Sequence, residues 1–84
     1  MRDTTREALR RMLRQRLGEK ADEAVELVER VAALFGIDRL PRVRAFAVLS
    51  ALVAGVLVAH DRSRGAPLGE VDVVLGWRAC KEDA

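Results

Sequence analysis

Apolar and polar residues recur along most of this chain with the period of an α-helix. In residues 4–17 the apolar positions form one narrow stripe, which predicts a helix on the outside of its neighbours. The stripe consists of Leu9, Met12, Leu13 and Leu17. Residues 19–35 divide between an apolar face and an acidic face, as in a half-buried helix. Gly18 and Gly36 follow these segments and are suited to end a helix.

Residues 41–60 have a different pattern. The fifteen positions 45–59 contain no charge, and Ser50 is their only polar side chain. A helix that is apolar all round has to be covered by its own chain, by a second copy or by lipid. Fifteen helical residues rise about 22 Å, which is short of the roughly 30 Å hydrocarbon core of a bilayer. We therefore predict a buried central helix, and a membrane span is the less favoured alternative.

One side of this predicted helix is a ridge of small residues spaced by four. The ridge consists of Ala47, Ala51, Gly55 and Ala59. Small side chains let two helix backbones approach closely. A chain of 84 residues buries a limited fraction of its surface on its own. We therefore expect a homo-oligomer, with a dimer favoured, and the small-residue ridge is the candidate self-association surface.

The last segment, residues 68–81, is ambiguous between helix and strand. Its apolar residues alternate as in a strand, yet they also form a broad face on a helix. A single strand would have no sheet to join, so a helix is favoured. The sequence thus predicts one all-α domain over residues 1–84, a small antiparallel bundle of about four helices with residues 41–60 at its centre.

Charge is distributed in blocks of alternating sign, although the net charge is only +2. Residues 1–20 carry seven basic and three acidic groups, whereas residues 21–40 carry two basic and five acidic groups. Such blocks are typical of helices that pair with their neighbours. The candidate partner-binding residues are an arginine ridge and an acidic face, formed by Arg2, Arg6, Arg10 and Arg14 and by Glu23, Glu26 and Glu29.

The arginine ridge also suits contact with phosphates, so nucleic-acid binding is a second hypothesis. No aromatic residue that could stack on a base lies near the ridge in the sequence. The acidic second segment would moreover have to serve as the recognition helix. Pairing with carboxylates, within the chain or on a protein partner, therefore explains the arginines better.

Few residues have catalytic or metal-binding chemistry. His60, the only histidine, stands beside Asp61 at a predicted helix end, where the helix dipole favours basic side chains. Cys80, the only cysteine, lies near a helix C-terminus, which does not favour a reactive thiolate. One cysteine and one histidine cannot complete a tetrahedral metal site, so we expect no metal and no cofactor. Trp77 is expected in the core.

These features favour a non-catalytic protein–protein interaction module, such as a small adaptor, regulator or inhibitor, over an enzyme. The sequence contains neither a glycine-rich phosphate loop nor a nucleophile elbow. The lack of cysteine pairs is typical of a reducing compartment, so a cytoplasmic location is expected. A nucleic-acid-binding protein is the first alternative and a small membrane-associated protein the second.

Overall fold

The computed structural model describes residues 3–83, and this part of the chain forms four α-helices and no β-strand. The helices are α1 Asp3–Leu17, α2 Ala21–Leu34, α3 Arg42–Ser63 and α4 Glu70–Asp83. The prediction of a small all-α bundle is therefore confirmed, and the ambiguous segment 68–81 is largely helical. Short 3₁₀ turns at Gly18–Lys20 and Ile37–Arg39 connect α1 to α2 and α2 to α3.

Residues with left-handed backbone conformations end the first three helices. Gly18 (φ 58°) follows α1 and Gly36 (φ 67°) follows the end of α2, as their positions in the sequence predicted. α3 runs three residues beyond its predicted end at His60, and Arg64 (φ 53°) follows it. The extension is stabilised in part because Ser63 Oγ donates a hydrogen bond to the carbonyl of His60 at 3.0 Å.

The core lies between the apolar face of α2 and the other three helices. Seven side chains of α2 are buried: Ala21, Ala24, Val25, Leu27, Val28, Val31 and Ala32. α1 contributes Leu9, Leu13 and Leu17, which are spaced by four and form a single line of contact. Met12, predicted to belong to this stripe, is 44% exposed because it lies beside that line rather than on it.

α4 is a helix rather than a strand because its first turn is capped and its apolar residues point in different directions. The backbone N–H of Gly69 donates to Asp72 Oδ2 at 2.7 Å, which closes one half of a capping box. Val73 is fully buried, whereas Val71 and Leu75 are exposed. A strand would have placed these three residues on one face.

α3 and α4 pack antiparallel, and their backbones come closest where Gly55 meets Gly76. A Cβ atom added to Gly76 would overlap the carbonyl oxygen of Gly55. A Cβ atom added to Gly55 would lie 2.5 Å from the carbonyl oxygen of Val73 and 2.9 Å from the amide nitrogen of Trp77. The two helices can approach this closely only because both positions are glycine.

α3 contacts each of the other three helices, in agreement with its predicted central place. Its coverage is uneven along its length. The C-terminal two thirds bury Leu52 and Val56 completely or nearly so, whereas Val43 and Phe46 in the first two turns are 82% and 71% exposed. The expected complete shielding of the apolar run is therefore not achieved within one chain.

Among residues 3–83, only α3 is long and apolar enough to cross a membrane, and 33% of its most apolar stretch is buried. The same length and composition occur in core helices of soluble proteins, so this finding does not assign α3 to a bilayer.

Candidate docking surfaces

The arginine ridge and the acidic face meet across the interface between α1 and α2. Arg6 Nε pairs with Glu29 Oε1, and Arg6 Nη2 lies 3.3 Å from Glu29 Oε2, so the two side chains form a two-pronged contact. Arg10 Nη1 donates to Glu7 Oε1 at 2.9 Å. Arg10 Nε lies 2.8 Å from Asp22 Oδ1, so the two side chains form an ion pair. The N–H bond at Nε does not point at this oxygen, and it has no hydrogen-bond acceptor among residues 3–83. Much of this charge is therefore neutralised within the chain.

Of the remaining candidates of this charged surface, Glu26 lies with the paired residues, in a groove that Arg6, Arg10 and Glu29 also line. Arg14 is exposed and forms no ion pair within the described part of the chain, and Arg2 lies outside it. Glu23 and Glu26 are exposed and line a groove of about 310 Å³ together with His60. Partner binding through these residues stays a prediction.

His60, the only histidine of the chain, is one of the residues that line this groove. His60 is half-buried and has no side-chain hydrogen bond among the described residues. Within residues 3–83, no three side chains of His, Cys, Asp or Glu are placed to hold a metal ion. Asp61, its neighbour, instead accepts a hydrogen bond from Arg16 Nη2 at 3.2 Å.

The small-residue ridge of α3 is divided between two environments. Gly55 and Ala59 are buried, and both lie close to Gly76 of α4 in the same chain. Ala51 is half-buried and Ala47 is exposed. In this arrangement Gly55 and Ala59 are not accessible to a second copy, because α4 already uses the close approach that they permit. For Ala47 and Ala51, self-association stays a prediction.

The first two turns of α3, together with Arg39 of the preceding 3₁₀ turn, form a surface that we call the basic apolar patch. It consists of Arg39, Arg42, Val43, Arg44 and Phe46, all of them exposed. None of its three arginines forms an ion pair within residues 3–83. Arg42 and Phe46 also line an open groove of about 530 Å³ that reaches Thr4 and Thr5 of α1.

The first turns of α4 form a second surface, the acidic apolar patch, which consists of Glu70, Val71, Asp72 and Leu75. Val71 is 70% exposed and Leu75 is 55% exposed. Glu70 Oε1 lies 3.2 Å from Arg30 Nε of α2, and both side chains remain about half exposed. Neighbouring exposed apolar side chains are typical of interaction sites, whereas isolated ones occur on most protein surfaces.

Trp77 lies at the edge of the bundle rather than deep in its core. The indole is half-buried and meets the ring of Phe35 edge to face, with centroids 5.8 Å apart and planes at 78°. Lys81 Nζ lies 5.9 Å from the centroid of the Trp77 ring. Cys80 is half-buried, and its Sγ lies 3.9 Å from the carbonyl oxygen of Ala54. Cys80 thus contributes to the packing of α4 on α3.

The sequence pattern did not single out the basic apolar patch. Val43 and Phe46 continue the apolar run of α3 and cannot be distinguished by composition from the buried residues that follow. The feature of the sequence that could have identified this patch is the pair of arginines on either side of Val43. Arginine in the first turn of a helix opposes the helix dipole, so its presence there does not serve helix stability.

Comparison with protein-family models, with curated proteins and with solved structures gives no match for this chain. The candidate function therefore depends on the geometry and chemistry of the chain itself.

Proposed function

We propose that this chain is a non-catalytic protein–protein interaction module that docks through its basic apolar patch. The observation that carries the proposal is the exposure of Val43 and Phe46, at 82% and 71%, among three arginines without a carboxylate partner in residues 3–83. Covering these two side chains would remove apolar surface from water, which is the main driving force of protein association. A partner with acidic groups around an apolar contact would match the patch in charge.

The total surface of the chain supports an associating protein. A compact monomer of 9.3 kDa exposes about 5,000 Å², whereas this chain exposes 5996 Å². The chain is therefore less compact than an average monomer of its mass, and part of its surface is apolar, as at Val43 and Phe46.

The distribution of polar groups supports a binding role over catalysis. Among the described residues, no polar or charged residue is buried. Catalytic groups depend on a water-excluded site with converging polar side chains, which strengthens their electrostatic effects. We place the protein in the cytoplasm, as the single cysteine suggests.

Affinity capture from extracts of the source cells tests the proposal. The test variant is V43S/F46S, which removes the two exposed apolar groups without altering the buried core. The matched control is Met12→Ser, because Met12 is an exposed apolar residue on α1, outside the patch. We expect proteins retained by the wild type and by the control to be lost from V43S/F46S. If the folded double variant retains the same proteins in the same amounts, the patch is not the docking site and the proposal is wrong.

Nucleic-acid binding is the first alternative, and the exposed arginines, Arg14 and those of the basic apolar patch, favour it. Binding of duplex DNA measured at two salt concentrations separates the two functions. A steep loss of affinity with salt would indicate phosphate contacts, and the absence of binding at low salt would exclude this alternative.

Membrane association is the second alternative. It is favoured by the exposed apolar side chains Val43 and Phe46 in the first two turns of α3. Arginines beside exposed apolar residues are also suited to the surface of an anionic bilayer. Sedimentation with vesicles of anionic lipid tests this function, since a protein-binding module would stay in the supernatant.

A further inference from the structure

We infer that the partner of the basic apolar patch is a second copy of this chain, which binds through its acidic apolar patch. This inference rests on the proposed function, because it names the occupant of the same surface. The two patches repeat one pattern with opposite charge. Arg42, Val43 and Arg44 open α3, whereas Glu70, Val71 and Asp72 open α4.

The apolar parts of the two patches also correspond. Each begins with an exposed valine, Val43 or Val71, and continues one turn later with a second exposed apolar side chain, Phe46 or Leu75. Residues three or four positions apart lie on the same face of a helix, so each patch presents two apolar groups together. Contact between the patches would cover all four groups. It would also place arginines beside Glu70 and Asp72, whose side chains stay exposed although Glu70 pairs with Arg30 and Asp72 caps α4 in their own chain.

The two patches of one chain cannot meet each other. α3 and α4 are antiparallel, so the first turn of α4 lies near the end of α3 and away from its beginning. Leu75 lies in one groove with Ala59, which is thirteen residues beyond Phe46 on α3, so even the nearest parts of the two patches are about 20 Å apart along that helix. Contact between them therefore requires two copies in a head-to-tail arrangement.

Helix stability explains the charges of one patch but not those of the other. Acidic residues are favourable in the first turn of a helix, and Asp72 also caps α4 through the Gly69 amide. Arg42 and Arg44 occupy the same part of α3, where positive charge is unfavourable. Carboxylates from a second copy would compensate for this local excess of positive charge.

A head-to-tail contact uses different surfaces on its two sides, so a pair retains one free basic apolar patch at one end and one free acidic apolar patch at the other. Copies then add one after another, or they close into a ring. The assembly should be charge-dependent, and it should weaken as salt screens the arginines from the carboxylates.

Sedimentation velocity of the full chain, measured over a series of concentrations, tests the inference. Three variants are compared with the wild type: V43S/F46S, V71S/L75S and R42E/R44E. Far-UV circular dichroism and the unfolding midpoint of each variant establish that the fold is retained. We expect the wild-type mass to rise with concentration and each variant to sediment as a single chain under the same conditions.

An equimolar mixture of V43S/F46S and V71S/L75S provides the decisive measurement. Each variant retains the patch that the other has lost, so the mixture contains one working contact and should form pairs but nothing larger. The inference is overturned if the wild type remains a single chain at every concentration, or if the mixture assembles like the wild type. A single-chain wild type that still captures a protein through Val43 and Phe46 would overturn this inference alone and leave the proposed function in place. If V43S/F46S still assembles and still captures the same proteins, both the inference and the proposed function are wrong.

Discussion

Gly76→Ala should destabilise the fold, although the same change in an ordinary helix stabilises it. In a helix interior, alanine is favoured over glycine by about 1 kcal/mol. At position 76 the new Cβ would overlap the carbonyl oxygen of Gly55 and lie 3.0 Å from its carbonyl carbon. These are backbone atoms, so the overlap is relieved only if α3 and α4 move apart. Overpacking of this kind costs about 3 kcal/mol at the upper end of its usual range, which leaves a net loss of about 2 kcal/mol.

Thermal unfolding followed by far-UV circular dichroism measures this loss. For a domain of this size, 1 kcal/mol corresponds to a change in Tm of about 4–8 °C, so Gly76→Ala should lower Tm by about 8–16 °C. Gly69→Ala is the matched control, because its Cβ would meet only Asp72 Oδ2 at an ordinary 3.6 Å. The control should change stability by less than about 1 kcal/mol. A higher Tm for Gly76→Ala would show that helix propensity outweighs packing, and the close crossing of α3 and α4 would then be refuted.

Four further predictions concern the fold, each measured by urea unfolding. The double variant with Gly55→Ala and Gly76→Ala should lose less free energy of unfolding than the two single variants together, because either change alone already separates α3 from α4. If the two losses add in full, the glycines do not share one contact. Leu13→Ala removes a fully buried side chain and should cost about 2–5 kcal/mol, and a smaller loss would mean that α1 packs loosely. Asp72→Ala removes the cap of α4 and should cost about 1 kcal/mol, whereas no loss would argue against the capping contact. Arg6→Met breaks the exposed ion pair with Glu29 and should lower the free energy of unfolding by less than about 1 kcal/mol, and by less still as salt is added. A larger loss that does not depend on salt would show that this pair is not a weak surface ion pair.

Helix positions could be predicted from the sequence because they depend on local properties. The apolar spacing of α1 and α2 and the glycines after them set those helices within two residues of their observed bounds. The end of α3 was less predictable, because Asp61 and Arg62 continue a helix as readily as they begin a loop.

Partners of the charged and small residues could not be predicted, because they depend on which helices become neighbours. The sequence left open whether Arg6 and Arg10 pair within the chain or outside it, and the packing of α1 on α2 places both beside carboxylates of the same chain. Similarly, Gly55 is recognisable as part of a small ridge, but nothing near it in the sequence identifies Gly76 as its contact. Matching the two glycines that lie inside helices would have been the available signal.

The direction in which neighbouring helices run determines which charges are neutralised inside this chain. Antiparallel packing of α1 and α2 brings basic residues of one helix to acidic residues of the next, as in the pair Arg6–Glu29. Antiparallel packing of α3 and α4 holds the arginines in the first turn of α3 away from the carboxylates in the first turn of α4. Those carboxylates lie instead near Arg30 of α2 and Arg62 at the end of α3. The first turn of α3 thus keeps arginines that have no carboxylate partner within residues 3–83, beside the exposed Val43 and Phe46. The close crossing at Gly55 and Gly76 fixes this arrangement, so the packing that stabilises the α3–α4 pair also leaves the two patches available to other molecules.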